Sequence, residues 1–165
     1  MFSLADYLLA PRAEAFPTGK TFIFTDNRNY TASRDDMVAV FRDMRFNTGA
    51  AIYQYVREAN DPPSVMPRHP GVLTYCIYGT GVVTTDELHF EGKNFPDEQP
   101  TVKVTNGDGT VVYASLSACR NWQHLTEFKE LPNVDHGAIL KGNKGIQAVI
   151  DILSRWRQVV YEVWS

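Results

Sequence analysis

Asp108 stands between two glycines in Asn106-Gly107-Asp108-Gly109-Thr110-Val111, at the end of a β-rich stretch, and Asp135-His136 follows the next such stretch. This constrains the fold more than any other feature of the chain, because open α/β sheets gather their sites just outside the carboxyl ends of successive strands. The flanking glycines let the backbone turn sharply and bring the carboxylate out of the loop. From there it could hold the His136 imidazole in one tautomer, leaving the ring to act as a general base and then as a general acid. A plainer reading exists for each half. Asn-Gly-Asp-Gly favours a tight turn for its own reasons, and Asp135-His136 is compatible with a surface or capping pair. What favours a site is the order of strand, Gly-Asp-Gly, helix, strand and His.

The segments around these residues alternate in type. Thr21-Phe22-Ile23-Phe24 reads as a short strand ended by the Asp26-Asn27 turn signal. Ser33 followed by Asp35 and Asp36 supplies an N-cap and first-turn acids for a helix to about Arg45, which would bury Met37, Val38, Val40, Phe41 and Met44. Residues 50–59 read as a second helix, closed by Pro62-Pro63 and a proline-rich link through Pro67 and Pro70. Residues 72–78 form the strongest strand signal, β-branched and aromatic, with Gly79-Thr80-Gly81 as its stop. Residues 87–91 and 101–105 are expected to be shorter strands, and 113–122 a short helix after the Asp108 loop. Residues 127–131 alternate as a half-exposed, edge-side strand requires. A terminal helix from Lys144 to about Tyr161 places Ile146, Val149, Ile150, Leu153 and Trp156 on one face, expected to be the packed one. Strands separated by helices predict an α/β sheet rather than a sandwich. Residues 1–20, broken by Pro11 and Pro17, are expected to be an extension or loop, with one domain from 21 to 165.

Composition excludes several classes. A chain of 165 residues, 44% hydrophobic and 21% charged, suits one globular core but not two, and is neither disordered nor fibrous. A net charge of −3 offers no basic field for phosphates, which argues against nucleic acid as a partner. No apolar run approaches the roughly 20 residues of a membrane-spanning helix. The first residues, with Asp6 interrupting the apolar stretch, do not make a secretory signal. Cys76 and Cys119 lack the spacing of a zinc site, which leaves one disulfide or two buried thiols. No cofactor is expected. Asn29-Tyr30-Thr31 is a glycosylation sequon and leans toward an exported chain. His69, His89 and His124 are expected in solvated or packing roles, Trp156 and Trp164 in core or partner contacts. Nothing around Cys76 suggests a lowered pKa, so it is no nucleophile candidate.

In α/β-hydrolases a catalytic serine precedes the acid and the His in the chain and sits in a G-x-S-x-G-like elbow between strand and helix. None of Ser3, Ser33, Ser64, Ser115, Ser117, Ser154 and Ser165 stands in such an elbow. The chain therefore reads as the C-terminal part of a hydrolase or acyltransferase, an incomplete, mostly parallel sheet flanked by helices.

Cys76-Ile77-Tyr78-Gly79-Thr80-Gly81, Gly107-Asp108-Gly109-Thr110-Val111, Cys119-Arg120-Asn121-Trp122 and Leu131-Pro132-Asn133-Val134-Asp135-His136 together resemble the C-terminal region of the lecithin:cholesterol acyltransferase and lysosomal phospholipase A2 family. Asn29-Tyr30-Thr31 with Phe41-Arg42-Asp43 is similar to the family's upstream segment, so the likeness runs from about residue 20 to 155. The resemblance implies that Asp108 is the triad acid, His136 the triad base, Cys76 and Cys119 a disulfide pair, and Asn29 a glycan site. It also implies a secreted or lysosomal enzyme that forms an acyl-enzyme from a phospholipid and passes the acyl group to water or a lipid alcohol. The nucleophile would lie in an N-terminal part of the same domain. Two departures leave the branch of the family open: a short link from Pro132 to His136, and Val82-Val83-Thr84 where prolines are common. The competing expectation is a non-catalytic binding or regulatory module derived from a lipid hydrolase.

Overall fold

The computed structural model describes residues 19–60, 71–92, 95–122 and 127–164. The expectations for the N-terminal extension, the proline-rich link, His69, His124 and the side chains of Trp156 and Trp164 fall outside what is described. The chain divides into two compact units, Met1–Arg68 with Thr85–Val104, and His69–Thr84 with Thr105–Ser165. Helices and a mixed set of strands make it an α/β protein.

In the first unit β1 (Thr21–Phe24) pairs antiparallel with β2 (Asn29–Thr31) and parallel with β4 (Val82–His89), in a sheet ordered β2-β1-β4-β5 with β5 at Thr101–Gly107. The boundary between the units falls within β4 and within β5. Helix α1 (Arg34–Asp43) starts where its sequence asks it to: the Ser33 hydroxyl accepts from the Asp36 amide, and Asp35 and Asp36 place negative charge at the positive end of the helix. Its Met37, Val38 and Phe41 pack with Ala50 and Tyr53 of α2 (Asn47–Asn60). Glu87 binds Lys20, His89 and Lys103, and these bonds hold its carboxyl down at about 2 although burial works the other way. His89 also stacks on Phe24, the packing one of the two roles, solvated or packing, expected for it.

The second unit is built on a parallel pair, β3 (Tyr75–Thr80) and β6 (Glu127–Pro132), in register from Tyr75↔Glu127 to Thr80↔Pro132. Between β5 and β6 come α3 (Tyr113–Leu116) and a 3-10 turn (Ser117–Asn121); after β6 come α4 (Ala138–Lys141) and α5 (Asn143–Trp164). Alternate residues of β3 face opposite ways. Ile77 joins a core of Leu131, Val134 and Ala148, whereas Cys76 is joined to Cys119 in a disulfide and Tyr78 meets Tyr113 edge-on. The Tyr78 and Tyr113 hydroxyls both donate to Glu130, which Arg120 also binds. Burial, and then the Glu130 carboxylate, push the Tyr78 phenol well above its ordinary range.

Three expectations change. The strand expected over 72–78 runs from Tyr75 through Thr80 instead, with Val72 and Leu73 exposed before it. Gly79 is no stop, because it sits where a Cβ would strike the Val134 carbonyl; the turn is made at Gly81, whose φ is +80°. That turn leads straight into β4, longer than the strand expected over 87–91 because the β-branched run Val82-Val83-Thr84-Thr85 extends it. The third change is in α5. Its packed residues are Gly145, Ala148 (1% exposed) and Ile152 (8%), while Ile146, Val149, Ile150 and Leu153, expected to pack, are 43–61% exposed.

Candidate active site

Three chain segments meet at the carboxyl ends of β3, β5 and β6, all inside the second unit. β5 ends at Gly107, where a Cβ would collide with the Val111 carbonyl and the Thr84 hydroxyl, so only glycine permits so close an approach. Gly109 then takes φ +89°, which reverses the chain. Between them Asp108 is wholly buried, at 0% exposure. Its Oδ1 accepts from the amides of Val111 at 2.7 Å and Thr110 at 3.0 Å, and its own amide donates to the Val111 carbonyl at 3.1 Å. Gly-Asp-Gly is therefore both things the sequence allowed, a tight turn and a carboxylate holder.

His136 reaches Asp108 twice. Its Nδ1 lies 2.8 Å from Oδ2, and its amide donates to the Asp108 carbonyl at 2.8 Å. Burial by itself would raise the Asp108 carboxyl, but the Val111 amide, the His136 ring and the Thr110 amide outweigh it and hold the group below its ordinary value. At neutral pH the carboxylate is therefore ionised and can only accept hydrogen bonds. Nδ1 must then carry the proton, and the neutral ring's free lone pair is on Nε2. Among the described residues the bond to Asp108 is the only hydrogen bond the His136 side chain makes, and that side chain is 56% exposed. The arrangement is an imidazole oriented by a buried carboxylate, with its side chain otherwise largely open.

Neighbours hold both loops in place. Asp135 makes a local turn: its Oδ1 accepts from the amides of Gly137 and Ala138, which fixes the chain that carries His136. The Asn133 amide donates to the Thr80 carbonyl, and Asn106 Oδ1 accepts from the Gly81 amide. Thr84, 1% exposed, accepts from the Gly109 amide at 2.8 Å while donating to the Val82 carbonyl. Thr84 and Asn106 stand in motifs quoted from the sequence, but nothing there gave either a role in holding the site. Their partners are about 25 residues away, and no local pattern signals such a pairing.

Of the other residues singled out, Cys76 and Cys119 form the disulfide in this unit, and Asn29 is exposed on β2 of the other. Among the described residues no group of three or more His, Cys, Asp and Glu is placed to hold a metal ion, and no helix is long and apolar enough to cross a membrane.

The description of the lecithin:cholesterol acyltransferase family matches residues 16–153. The chain belongs to that family. It is 33% identical over 132 residues to the mouse protein named lysosomal phospholipase A and acyltransferase, covering 78% of this chain and 30% of the mouse one. It is 36% identical over 135 residues to lecithin-cholesterol acyltransferase-like 1 of Arabidopsis thaliana, covering 82% of this chain and 29% of that protein. To the chicken phosphatidylcholine-sterol acyltransferase it is 32% identical over 133 residues, 76% of this chain and 30% of the relative. This family chain therefore spans about 30% of the length of the relatives it matches.

Proposed function

We propose that this chain supplies the acid and the base of an acyl-transfer triad in a phospholipid O-acyltransferase or phospholipase A, on the C-terminal portion of an α/β-hydrolase domain. The observation that carries the reading is the buried, ionised Asp108 bonded to Nδ1 of an otherwise open His136. In this reading Nε2 takes the proton of a serine hydroxyl as the serine oxygen attacks the ester carbonyl of a phospholipid. It returns that proton to the departing lysophospholipid oxygen, leaving an acyl-enzyme. The same nitrogen then deprotonates water or a lipid alcohol, which takes the acyl group and frees the serine. The serine and the oxyanion donors come from the portion of the domain that precedes the region matched here. The disulfide and the exposed Asn29 sequon support a secreted or lysosomal setting, like that named for the mouse relative.

The test is a chimera in which residues 20–155 of this chain replace the matching region of the mouse lysosomal phospholipase A and acyltransferase, assayed by acyl release from phosphatidylcholine vesicles. The expected result is turnover that falls by about 10³- to 10⁴-fold on His136→Gln or Asp108→Asn, as in serine-dependent triads. A folded chimera whose turnover ignores both substitutions refutes the proposal. A folded chimera with no turnover at all favours the non-catalytic module. The 165-residue chain by itself is expected to hydrolyse p-nitrophenyl esters no faster than its own Asp108→Asn variant.

A further inference from the structure

Both glycines that flank Asp108 meet the same side chain. A Cβ on Gly107 would stand against the hydroxyl and Cβ of Thr84, and the amide of Gly109 donates to that hydroxyl at 2.8 Å. Thr84 is 1% exposed, on the part of β4 that belongs to the second unit, and it donates in turn to the Val82 carbonyl at 3.0 Å. Val82 stands across from Asp108 in a parallel β-bridge. A short polar chain therefore runs from the Gly109 amide through the Thr84 hydroxyl to the backbone opposite Asp108. Only a group that accepts and donates at one atom can stand in the middle of it, which a hydroxyl does and a methyl group does not.

The consequence lies in how the Asp108 carboxylate is shared. Three successive amides, those of Gly109, Thr110 and Val111, follow it around the turn. Thr110 and Val111 donate to Oδ1, Gly109 donates to Thr84, and among the described residues Oδ2 is bonded to His136 Nδ1 alone. With the Thr84 oxygen gone, the strongest acceptor left beside the Gly109 amide is the ionised carboxylate of the preceding residue, since bonds to a charged acceptor are roughly twice as strong as neutral ones. That amide would then compete with the imidazole for the same group. We infer that Thr84 is a positioning residue for the acid and base pair: by taking the Gly109 amide and standing against Gly107, it fixes the loop so that one carboxylate oxygen serves the backbone and the other serves His136. This placement stands without the proposed function; only its effect on turnover rests on that reading.

The test reads the His136 ring by nitrogen and proton NMR in the full 165-residue chain, without reference to activity. In the parent chain at neutral pH the ring is expected as the Nδ1–H tautomer, with a slowly exchanging Nδ1 proton. Thr84→Val, close in shape but without the hydroxyl, should lose that proton to fast exchange and let the ring populate the Nε2–H form. Thr84→Ala, which places nothing where the hydroxyl stood, gives the same reading if Thr84→Val does not fold. Thr84→Ser keeps the hydroxyl and should restore the parent spectrum. Ile152→Val trims a buried side chain of α5 and serves as a destabilised control in which the Nδ1 proton should persist. In the chimera with the mouse relative, Thr84→Val should lower kcat about 100-fold with KM unchanged, the pattern of a misplaced catalytic group, and Thr84→Ser should recover most of it. A parent-like His136 spectrum without the hydroxyl overturns the inference. So does a Thr84→Ser chain that fails to regain the spectrum, loss of the Nδ1 proton in Ile152→Val, or turnover that falls with His136→Gln but ignores Thr84→Val. If the spectra follow Thr84 while turnover ignores His136→Gln, the triad reading fails and the positioning role stands.

Discussion

Replacing Asp108 with Asn removes one charge from the centre of the site and almost nothing from its shape. The amide oxygen can still accept from the Val111 and Thr110 amides, and the amide nitrogen can donate to Nδ1 of His136 if the ring proton moves to Nε2. What is lost is the charged character of three hydrogen bonds. Bonds to charged groups contribute about 1.5–3 kcal/mol and neutral ones about 0.5–1.5, so three of them lose about 3–4.5 kcal/mol, and relief of the buried charge's desolvation brings the expected cost of Asp108→Asn at pH 7 to about 2–3 kcal/mol. Asp108→Ala should cost more, since it leaves buried amides without an acceptor. All three tryptophans, Trp122, Trp156 and Trp164, lie in the same unit as Asp108, so urea unfolding followed by tryptophan fluorescence reports on the right part of the chain.

The pH dependence carries the sharper test. Because the folded carboxyl lies below its unfolded value, near 3.9, the stability it contributes is fully present above that value and is lost as pH falls through the folded one. The gap between wild type and Asp108→Asn should therefore narrow as pH falls below about 4 and close at lower pH. Asp36 and Glu130, also held low, are common to both proteins and cancel in the difference. A gap under about 0.5 kcal/mol at pH 7, within the range of an ordinary surface substitution, or a gap that widens as pH falls below about 4, refutes the account of Asp108 as a buried, ionised acceptor.

Cys76 and Cys119 are 43 residues apart in sequence, so opening their link should cost up to about 4 kcal/mol by the chain-entropy relation; thiol titration of the unfolded chain before and after reduction, and urea midpoints of the Cys76→Ala/Cys119→Ala variant, check this. Asn29 should carry one glycan when the chain passes through a eukaryotic secretory pathway, seen as a glycosidase-sensitive mass shift that Asn29→Gln abolishes. Gly107→Ala should destabilise the second unit by about 2 kcal/mol or more, since the added methyl group meets a backbone carbonyl that cannot swing away. An unchanged urea midpoint in the Gly107→Ala variant would show that the Asp108 loop can shift at little cost.

Local rules served well wherever the answer was local. The Ser33 cap, the first-turn acids and the 3.6-residue spacing of Met37, Val38 and Phe41 specified α1, because capping and periodicity act within one or two turns. Gly79 misled, since a glycine required for close approach looks the same in sequence as one required for a turn. The roles of Thr84 and Asn106 were invisible for a related reason: each holds up the site through a partner that only folding brings near.

Residue order by itself determined that an acid and a histidine follow successive strands and that one flank of α5 is apolar. Only the tertiary structure decided that Asp108 is buried and takes Nδ1 of His136, because burial and contact depend on segments distant in sequence. It also decided that Gly145, Ala148 and Ile152 pack while Ile146, Val149, Ile150 and Leu153 stay open. Periodicity reports which side of a helix is apolar; what that side rests against depends on which neighbours are present.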